Sequence, residues 1–285
     1  PAPDRRLAED FRKGGQQVLG VFDSIPEQPL LGIYMRYRRE TLGITQEETA
    51  KRMFVSLSLY RKLESGERML TAERLSDWCA VMDAPSWMLE KMVSLTMPKI
   101  VKVARGVWPP VLRREDLDHL QALPYPAFYH RFPEYEVLAA NSAATAAFPW
   151  LAPAPEGSER PVNVIEQMMT VSEARESLVN WDTVAHRLLF TLRVLAPGVV
   201  APERLTQIIR TCRTNPEFER MWNTPMDEDL YTDSLMLVRD PEAGELRHFT
   251  MRAYNAYHPQ DCSYQLFVLT PRTPGTATVD PFALA

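Results

Sequence analysis

The stretch from Gly43 to Gly66, GITQEETAKRMFVSLSLYRKLESG, constrains the fold of this chain more than any other. Thr45 can cap the start of one short helix, and Glu48, three residues later, completes a capping box. Ser56 can cap a second helix, which Gly66 can end in a left-handed conformation. The sequence therefore predicts two short helices joined by a tight corner.

The second of these helices has an outer face suited to a polar partner. Helical spacing places Tyr60 and Leu63 on the inner face. Most of the residues left outside are small, polar or basic: Leu57, Ser58, Arg61 and Lys62. Two short helices at a steep angle, the second with such a face, are typical of a helix-turn-helix motif that enters the major groove of DNA.

The same stretch resembles the XRE family of phage-repressor-like DNA-binding domains. The resemblance rests on the pattern R-x3-GITQEE-x-A, which begins at Arg39, and on the run LESG, which ends at Gly66. It extends from Leu31 to about Pro85 and implies a bundle of five helices. The alternative is an ordinary helical pair with a solvated charged face, but the cap, core and turn positions all agree with the family.

The resemblance also implies which residues contact DNA. In the family, the glutamine that opens the second helix contacts a phosphate, here Gln46, and the bases are read from the start and middle of the third helix. The chain departs from the family at Leu57 and Leu59, where glutamine or arginine is common. Leucines read fewer hydrogen-bonding edges, although Leu57 can touch a thymine methyl group. The implied DNA-binding residues are Gln46, Ser56, Leu57, Ser58, Arg61 and Lys62.

The composition is that of a globular protein with two domains. The chain has 285 residues, of which 45% are apolar and 24% charged. No apolar run approaches the ~20 residues that span a bilayer, and the polar N-terminal residues do not resemble a signal peptide. Three scattered cysteines, Cys79, Cys212 and Cys262, indicate reduced thiols rather than a disulfide framework. We therefore expect a cytoplasmic protein without membrane contact.

The net charge of -5 hides an uneven distribution. Residues 1–115 carry 19 Lys and Arg against 15 Asp and Glu, whereas residues 116–285 carry 13 against 22. Phosphate contacts dominate the affinity of proteins for DNA. The charge distribution therefore indicates that the N-terminal part binds DNA, whereas the acidic remainder is repelled by the duplex.

A basic segment with two adjacent prolines, KIVKVARGVWPPVLRR, follows the predicted bundle. Adjacent prolines prevent one regular helix, so we expect a semi-rigid connector. Two interpretations stay open. In the first, Lys99, Lys102 and Arg105 clamp a further DNA phosphate, and in the second the segment is a solvated linker.

The remainder of the chain alternates strand and helix patterns. Two short strand patterns, 127–131 and 136–139, precede a helix capped by Asn141, and one long helix is predicted from about Ser172 to Leu195. A three-stranded meander ends the pattern, with predicted strands at 234–239, 245–254 and 263–270. This order of elements is that of a PAS-like domain.

The C-terminal part resembles the corresponding domain of MmyB-like regulators. The resemblance rests on the order of four motifs: VLAANSAATAAF, NWDTVAHRLLFTLR, NPEFERMWN and DPEAGEL. That family joins an XRE domain to a PAS-like ligand-binding domain, and the resemblance implies the same arrangement here. The chain has Arg239-Asp240-Pro241 where a His-Pro pair is expected. If that histidine binds ligand in relatives, this chain binds a different ligand or binds it differently.

These patterns predict a multidomain protein, in which an all-α helix-turn-helix bundle of five helices is followed by an α+β PAS-like domain. The predicted segments are an N-terminal arm (1–24), the DNA-binding domain (25–98), a basic linker (99–115), the PAS-like ligand-binding domain (116–275) and a C-terminal tail (276–285).

A PAS-like sheet covered by helices can hold a mostly apolar pocket with few polar anchors. The predicted long helix carries an apolar stripe at helical spacing, which is first of all a core stripe. Arg187 and Arg193 flank it, and they either meet a carboxylate head group or lie at the surface. A fatty-acid-like ligand fits such a lining. The candidate ligand-binding residues are Trp181, Leu188, Leu189, Arg193, Phe218 and Trp222.

The sequence offers no good motif for a metal, a cofactor or catalysis. His248, His258 and Cys262 have the spacing H-x9-H-x3-C, which matches no zinc pattern well, and His186 alone is a weak basis for haem. No G-x-G-x-x-G, P-loop, H-E-x-x-H or G-x-S-x-G occurs. We therefore predict no cofactor, metal site or catalytic residue, and we do not expect an enzyme.

Together these features predict a transcription regulator that binds a pseudo-palindromic operator in double-stranded DNA as a homodimer. A small apolar ligand of the PAS-like domain is expected to shift the DNA affinity through its differential affinity for two states. Two alternatives stay open. One is a ligand-free regulator whose PAS-like domain serves only for dimerisation or partner binding, and the other is an enzyme that uses the XRE domain for autoregulation.

Overall fold

The computed structural model describes residues 31–96, 112–155, 158, 160–224, 226, 233–240, 243–255 and 264–272. The predicted arm (1–24), the predicted tail (276–285) and most of the predicted linker, including Lys99, Lys102 and Arg105, lie outside these residues. The contacts divide the chain into two compact units. We call them the helical unit, from residues 1–106 and 188–227, and the sheet unit, from residues 107–187 and 228–285.

Five helices form the N-terminal part of the helical unit, as predicted: α1 (Leu31–Thr41), α2 (Gln46–Arg52), α3 (Leu57–Ser65), α4 (Ala72–Val81) and α5 (Ser86–Thr96). The predicted caps are present. Thr45 Oγ1 accepts the N–H of Glu48 at 3.1 Å, and Ser56 Oγ accepts the N–H of Leu59 at 3.2 Å. Gly66 ends α3 with a φ of 80°, in the left-handed region that favours glycine.

The core of this bundle is filled by large side chains. Tyr34, Tyr60, Trp78, Met82, Met88 and Met92 are fully buried. Helices α1 and α3 approach each other closely at Gly32, where a Cβ atom would lie only 1.9 Å from the backbone oxygen of Glu64. Any side chain at this position would push the two helices apart.

The other elements of the chain follow in order after the connector. They are α6 (Arg114–Ala122), β1 (Ala127–His130), β2 (Val137–Ala140), α7 (Ser142–Ala147), a 3-10 turn (Pro149–Leu151), α8 (Val164–Thr170), α9 (Ser172–Ser177), α10 (Trp181–Leu195), α11 (Pro202–Cys212), α12 (Phe218–Asn223), β3 (Leu235–Arg239), β4 (Leu246–Asn255) and β5 (Gln265–Pro271). No helix among the described residues is long and apolar enough to cross a membrane.

The strands form one antiparallel sheet in the order β2-β1-β5-β4-β3. Two strands, a helical block and a three-stranded meander therefore follow one another as predicted, and the α+β architecture of this part is confirmed. Leu120 of α6 packs into a buried cluster with Tyr129 of β1 and Val268 of β5. Burial of these apolar side chains fixes α6 against the sheet.

Asn141 ties the start of the sheet to its neighbouring helices. Its side chain is buried, and its Oδ1 accepts the N–H groups of Ala127 and Ala144 at 3.1 and 2.8 Å. Its Nδ2 donates to the carbonyls of Leu123 and Tyr125 at 3.0 and 2.8 Å. The predicted cap of α7 thus also positions the first residue of β1, because one amide satisfies four backbone groups.

The prediction of one long helix from Ser172 to Leu195 is wrong, because the chain leaves the helix between α9 and α10. Leu178 forms a β-bridge with Val238, and the Asn180 side chain exchanges hydrogen bonds with the backbone of β3. Apolar spacing on both sides of the break is helical, so the pattern alone does not reveal it. The pairing with β3 comes from a distant part of the sequence.

Residues 188–227 belong to the helical unit rather than to the sheet unit. Tyr34 of α1 donates its hydroxyl to the carbonyl of Val194 at 2.7 Å. Lys91 of α5 donates to the carbonyls of Leu195 and Pro197 at 2.9 and 2.7 Å. Both donors are buried, and a lysine ammonium at the carboxyl end of a helix also meets the negative end of its dipole.

Candidate DNA interface and ligand site

The outer face of α3 is exposed, as the prediction of a helix-turn-helix requires. Ser58, Arg61 and Lys62 are exposed, whereas Leu57 is half-buried. Ser56 is exposed as well, and its hydroxyl is engaged in the cap of α3. The structure therefore presents one hydroxyl and two cations on the helix that would enter a major groove.

A buried carboxylate fixes the inner side of the same helix. The side chain of Glu64 is only 1% exposed. Arg39 donates two hydrogen bonds to it, from Nε to Oε2 at 2.9 Å and from Nη2 to Oε1 at 2.8 Å. A paired, doubly hydrogen-bonded arginine and carboxylate is a strong and directional contact. It joins α1 to α3.

Gln46 is the third member of this network. Its Nε2 donates to Glu64 Oε1 at 3.0 Å, so the side-chain amide of Gln46 is held in one orientation. The resemblance to XRE domains assigned Gln46 to a phosphate but gave no role to Glu64. The structure shows that Glu64 positions Gln46. The sequence contained a signal for this contact, because Gln46 lies in the pattern R-x3-GITQEE-x-A and Glu64 in the run LESG, both of which carry the resemblance.

The charges of this network are set by two opposing effects. Burial alone would raise the pKa of the Glu64 carboxyl, but hydrogen bonds from Arg39 and Gln46 hold that pKa below its ordinary value. The hydrogen bond to Glu64 also raises the pKa of Arg39. Burial raises the pKa of the nearby Tyr60 hydroxyl. At neutral pH the pair is therefore ionised and Tyr60 is neutral.

An open cleft of about 610 Å³ lies beside the network. Arg36, Arg39, Gln46, Leu57 and Arg61 are among the residues that line it. Glu40, Glu47 and Glu64 line it as well, so its three arginines are balanced by three carboxylates and the cleft has no net charge. Guanidinium groups and an oriented amide are suitable partners for a phosphate, whose contacts position a protein on DNA.

The candidate ligand residues fall on both sides of the division between the two units. All six are buried, but Trp181 belongs to the sheet unit and the other five belong to the helical unit. Trp181 donates its Nε1–H to the carbonyl of Met168 at 2.9 Å, and the guanidinium of Arg175 lies 4.0 Å from the centre of its ring. Trp181 is thus occupied by its neighbours in the sheet unit.

Three of the other five residues form a compact cluster, which we call the arginine–aromatic cluster. The guanidinium carbon of Arg193 lies 4.9 Å from the centre of the Trp222 ring, and the rings of Trp222 and Phe218 stack at 5.2 Å. Arg193 is 2% exposed. A cation buried over an aromatic face is energetically favourable, and it offers donors to an anionic group.

The sheet unit contains a buried histidine that the sequence did not single out. His130 is 1% exposed, and its Nδ1 lies 3.1 Å from the carbonyl oxygen of Arg131. Its Nε2 has no hydrogen-bond partner among the described residues. The ring stacks parallel to Tyr135 at 5.2 Å and meets Phe267 edge-on at 6.2 Å. Burial lowers the pKa of His130 from 6.5 to about 4.

Comparison with protein families assigns both parts of the chain. The family described as MmyB-like transcription regulator ligand binding domain matches residues 112–280, more than half of the chain. The chain belongs to the MmyB-like transcription regulators. The Helix-turn-helix family matches residues 35–85. A search of curated proteins found no significant match.

These two matches confirm both resemblances found in the sequence. This MmyB-like regulator is therefore a DNA-binding transcription regulator in which a ligand-binding domain follows a helix-turn-helix. The helix-turn-helix match contains α2 and α3 in full. The ligand-binding match contains residues 188–227, which the structure groups with the helix-turn-helix helices.

No group of three or more His, Cys, Asp or Glu side chains within the described ranges is placed to hold a metal ion. His258 and Cys262 of the weak H-x9-H-x3-C pattern lie outside those ranges. Cys79 and Cys212, which are described, are both buried and take part in no disulfide.

Proposed function

We propose that this regulator recognises a specific DNA sequence with the outer face of α3, and that a small apolar ligand of its C-terminal domain alters the DNA affinity. The observation that carries the proposal is the arrangement around Glu64. It locks Gln46 and the inner side of α3 in place while Ser58, Arg61 and Lys62 stay exposed. Fixed positions for a phosphate contact and for base contacts are what sequence-specific binding requires.

The proposed operator is pseudo-palindromic and is bound by a homodimer. One helix-turn-helix reads only a few base pairs, whereas a two-fold dimer reads two half-sites about one helical turn apart. In each half-site Lys62, Arg61 and Ser58 face base edges, and Leu57 meets a thymine methyl group. Such a regulator acts on DNA in the cytoplasm.

The proposed ligand is fatty-acid-like, with an apolar chain and an anionic head. The arginine–aromatic cluster supports this class, because Arg193 supplies buried donors for a carboxylate and the rings of Phe218 and Trp222 supply apolar surface. The competing function is a ligand-free domain used for dimerisation or partner binding. That function is favoured if the arginine–aromatic cluster only packs the core and binds no ligand.

The contacts of residues 193–197 suggest how the ligand would act on DNA binding. Val194, which follows Arg193 in the chain, accepts the hydroxyl of Tyr34 in α1, and the next turn accepts Lys91 of α5. The cluster and the helix-turn-helix helices therefore lie in one compact unit. A ligand that displaces Arg193 would shift the balance between two arrangements of these helices.

Alanine at Lys62 and alanine at Gln46 should weaken DNA binding in different ways. We expect Lys62→Ala to weaken binding to the preferred operator by about 1–3 kcal/mol and to relax the base preference at one position. Gln46→Ala should weaken binding to the operator and to random DNA alike. Fluorescence anisotropy on both duplexes at one fixed salt concentration measures this. Equal losses on both duplexes for Lys62→Ala would contradict its base-reading role.

Removing the Lys91 ammonium should reduce both stability and the response to ligand. Lys91→Met leaves the carbonyls of Leu195 and Pro197 without this donor, and we expect the free energy of unfolding to fall by about 1–3 kcal/mol. The ratio of DNA dissociation constants with and without ligand should move towards one. Lys51→Met removes the same charge from an exposed position and should leave this ratio unchanged. A Lys91→Met protein with the full ligand response would refute the proposed coupling.

Native mass spectrometry of the purified protein tests the ligand directly. A bound species of lipid mass that disappears after organic extraction supports the proposal, and the same spectrum gives the number of subunits. We further expect Arg193→Met to lose that species while Arg175→Met keeps it. A wild-type spectrum without any bound species, together with no change of DNA affinity on adding palmitate, would favour the dimerisation module.

A further inference from the structure

Phe54 lies in the turn between α2 and α3 and combines two unusual features. Its side chain is 97% exposed. Its φ is 54°, in the left-handed region. An aromatic residue rarely occupies this region, because its Cβ crowds the backbone there. Glycine would avoid that cost, and it would expose no aromatic ring to water.

The other non-glycine residues with positive φ in the described part of the chain have ordinary explanations. Asp83, at the end of α4, is of a type that tolerates this conformation. Tyr135 stacks its ring on His130. The ring of Phe54 is instead left almost entirely in water. Strained backbone under an exposed ring is the kind of local outlier that points to a function for the side chain.

The position of Phe54 in the chain brings it next to the proposed DNA face. It precedes the cap residue Ser56 by two residues and Leu57 by three, and three residues of chain span at most about 11 Å. The N-terminal end of a recognition helix is the end that approaches the base edges. The Phe54 ring is therefore within reach of the groove that α3 would enter.

We propose that Phe54 contacts apolar atoms of the operator, either a thymine methyl group or a deoxyribose beside the groove, and so contributes to DNA affinity in addition to the polar residues of α3. The proposal rests on the proposed function. It explains why the ring is exposed in the free protein, since the duplex would cover it. The caps on either side of the turn, at Thr45 and Ser56, are formed, so the turn that presents the ring is a folded one.

The test compares Phe54→Gly with Phe54→Tyr in the full chain. Phe54→Gly removes both the ring and the backbone strain, so the melting temperature should rise by a few degrees. Its affinity for the operator should nevertheless fall about ten-fold or more, because a buried aromatic contact is lost. Phe54→Tyr keeps the ring and should match the wild type in both measurements.

The same titrations separate this proposal from the proposed function. If the wild type binds no operator, the proposed function fails. If the wild type binds and Phe54→Gly binds equally well, the Phe54 proposal fails, and a loss of self-association in that variant would assign the ring to a protein interface instead. An operator with deoxyuridine in place of thymine identifies the contact. If the wild type loses as much affinity for the deoxyuridine operator as Phe54→Gly loses for the normal one, the ring contacts the methyl group. If the wild type binds both operators equally well and Phe54→Gly binds more weakly, the ring contacts the sugar.

Discussion

Replacing Glu64 with alanine is expected to lower the free energy of unfolding by about 3–5 kcal/mol. The carboxylate is buried and compensates Arg39, whose side chain is only 12% exposed. Without it, a poorly solvated guanidinium keeps only the longer contact with Glu40, at 3.3 Å, as its paired charge, and Gln46 loses its acceptor. Because the pair joins α1 to α3, its loss should also reduce DNA affinity.

Urea denaturation followed by circular dichroism measures this effect. Glu73→Ala, which removes an exposed carboxylate from the first turn of α4, is the matched control and should change the stability by no more than about 0.5 kcal/mol. The double variant Arg39→Met with Glu64→Leu should recover most of the loss, because it leaves no buried charge. A loss below about 1 kcal/mol for Glu64→Ala would show that the pair is not a major source of stability.

Lowering the pH from 7.5 to 5 is expected to destabilise the protein through His130. The pKa of His130 is about 4 in the folded protein and about 6.5 in an exposed chain. Between these values the unfolded chain binds the proton and the folded protein does not, so stability is full above pH 6.5 and is lost as the pH falls. The contribution is about 2 kcal/mol at pH 5 and about 3 kcal/mol when complete.

The His130→Phe variant isolates this contribution. Between pH 7.5 and pH 5 the free energy of unfolding of the variant should fall by about 2 kcal/mol less than that of the wild type. The reason is that phenylalanine does not titrate. His248→Gln removes an exposed histidine of β4 and is the matched control. The same slope in wild type and His130→Phe would mean that His130 is not the group responsible.

The sequence predicts the helical bundle well because its signals are local. A cap and the residue it bonds lie three positions apart, as with Thr45 and Glu48, and a glycine ends α3 by its own conformational freedom. The hairpin between β3 and β4 follows from the turn at Gly244, whose φ is 69°. These features depend on neighbouring residues alone.

The features that the sequence does not reveal depend on contacts between distant residues. Lys91 reads as an ordinary surface lysine, yet it bonds carbonyls more than a hundred residues away. The break before α10 arises from pairing with β3, and the apolar stripe gives no sign of it. His130 sits in an unremarkable strand pattern, and only the packed structure shows that its ring is buried between aromatic neighbours.

The candidate site divides in the same way. The outer face of α3 follows from helical spacing, so Ser58, Arg61 and Lys62 were expected outside and are exposed. Three of the six ligand residues were chosen from the apolar stripe of the predicted long helix, Arg193 from its flank, and Phe218 and Trp222 from a later apolar segment. The structure assigns Trp181 to one compact unit and the other five residues to the other, because the division falls within α10, after Arg187. Apolar spacing identifies buried residues, but it does not identify what they are buried against.

Selection of duplexes from a random-sequence pool by the full-length protein tests the central claim most directly. We predict enrichment of a pseudo-palindrome with half-site centres about 10 base pairs apart, and an altered base preference when Lys62→Ala replaces the wild type. Enrichment of no sequence, or of the same sequence with the same preference by both proteins, would contradict the account of α3 as the helix that reads DNA.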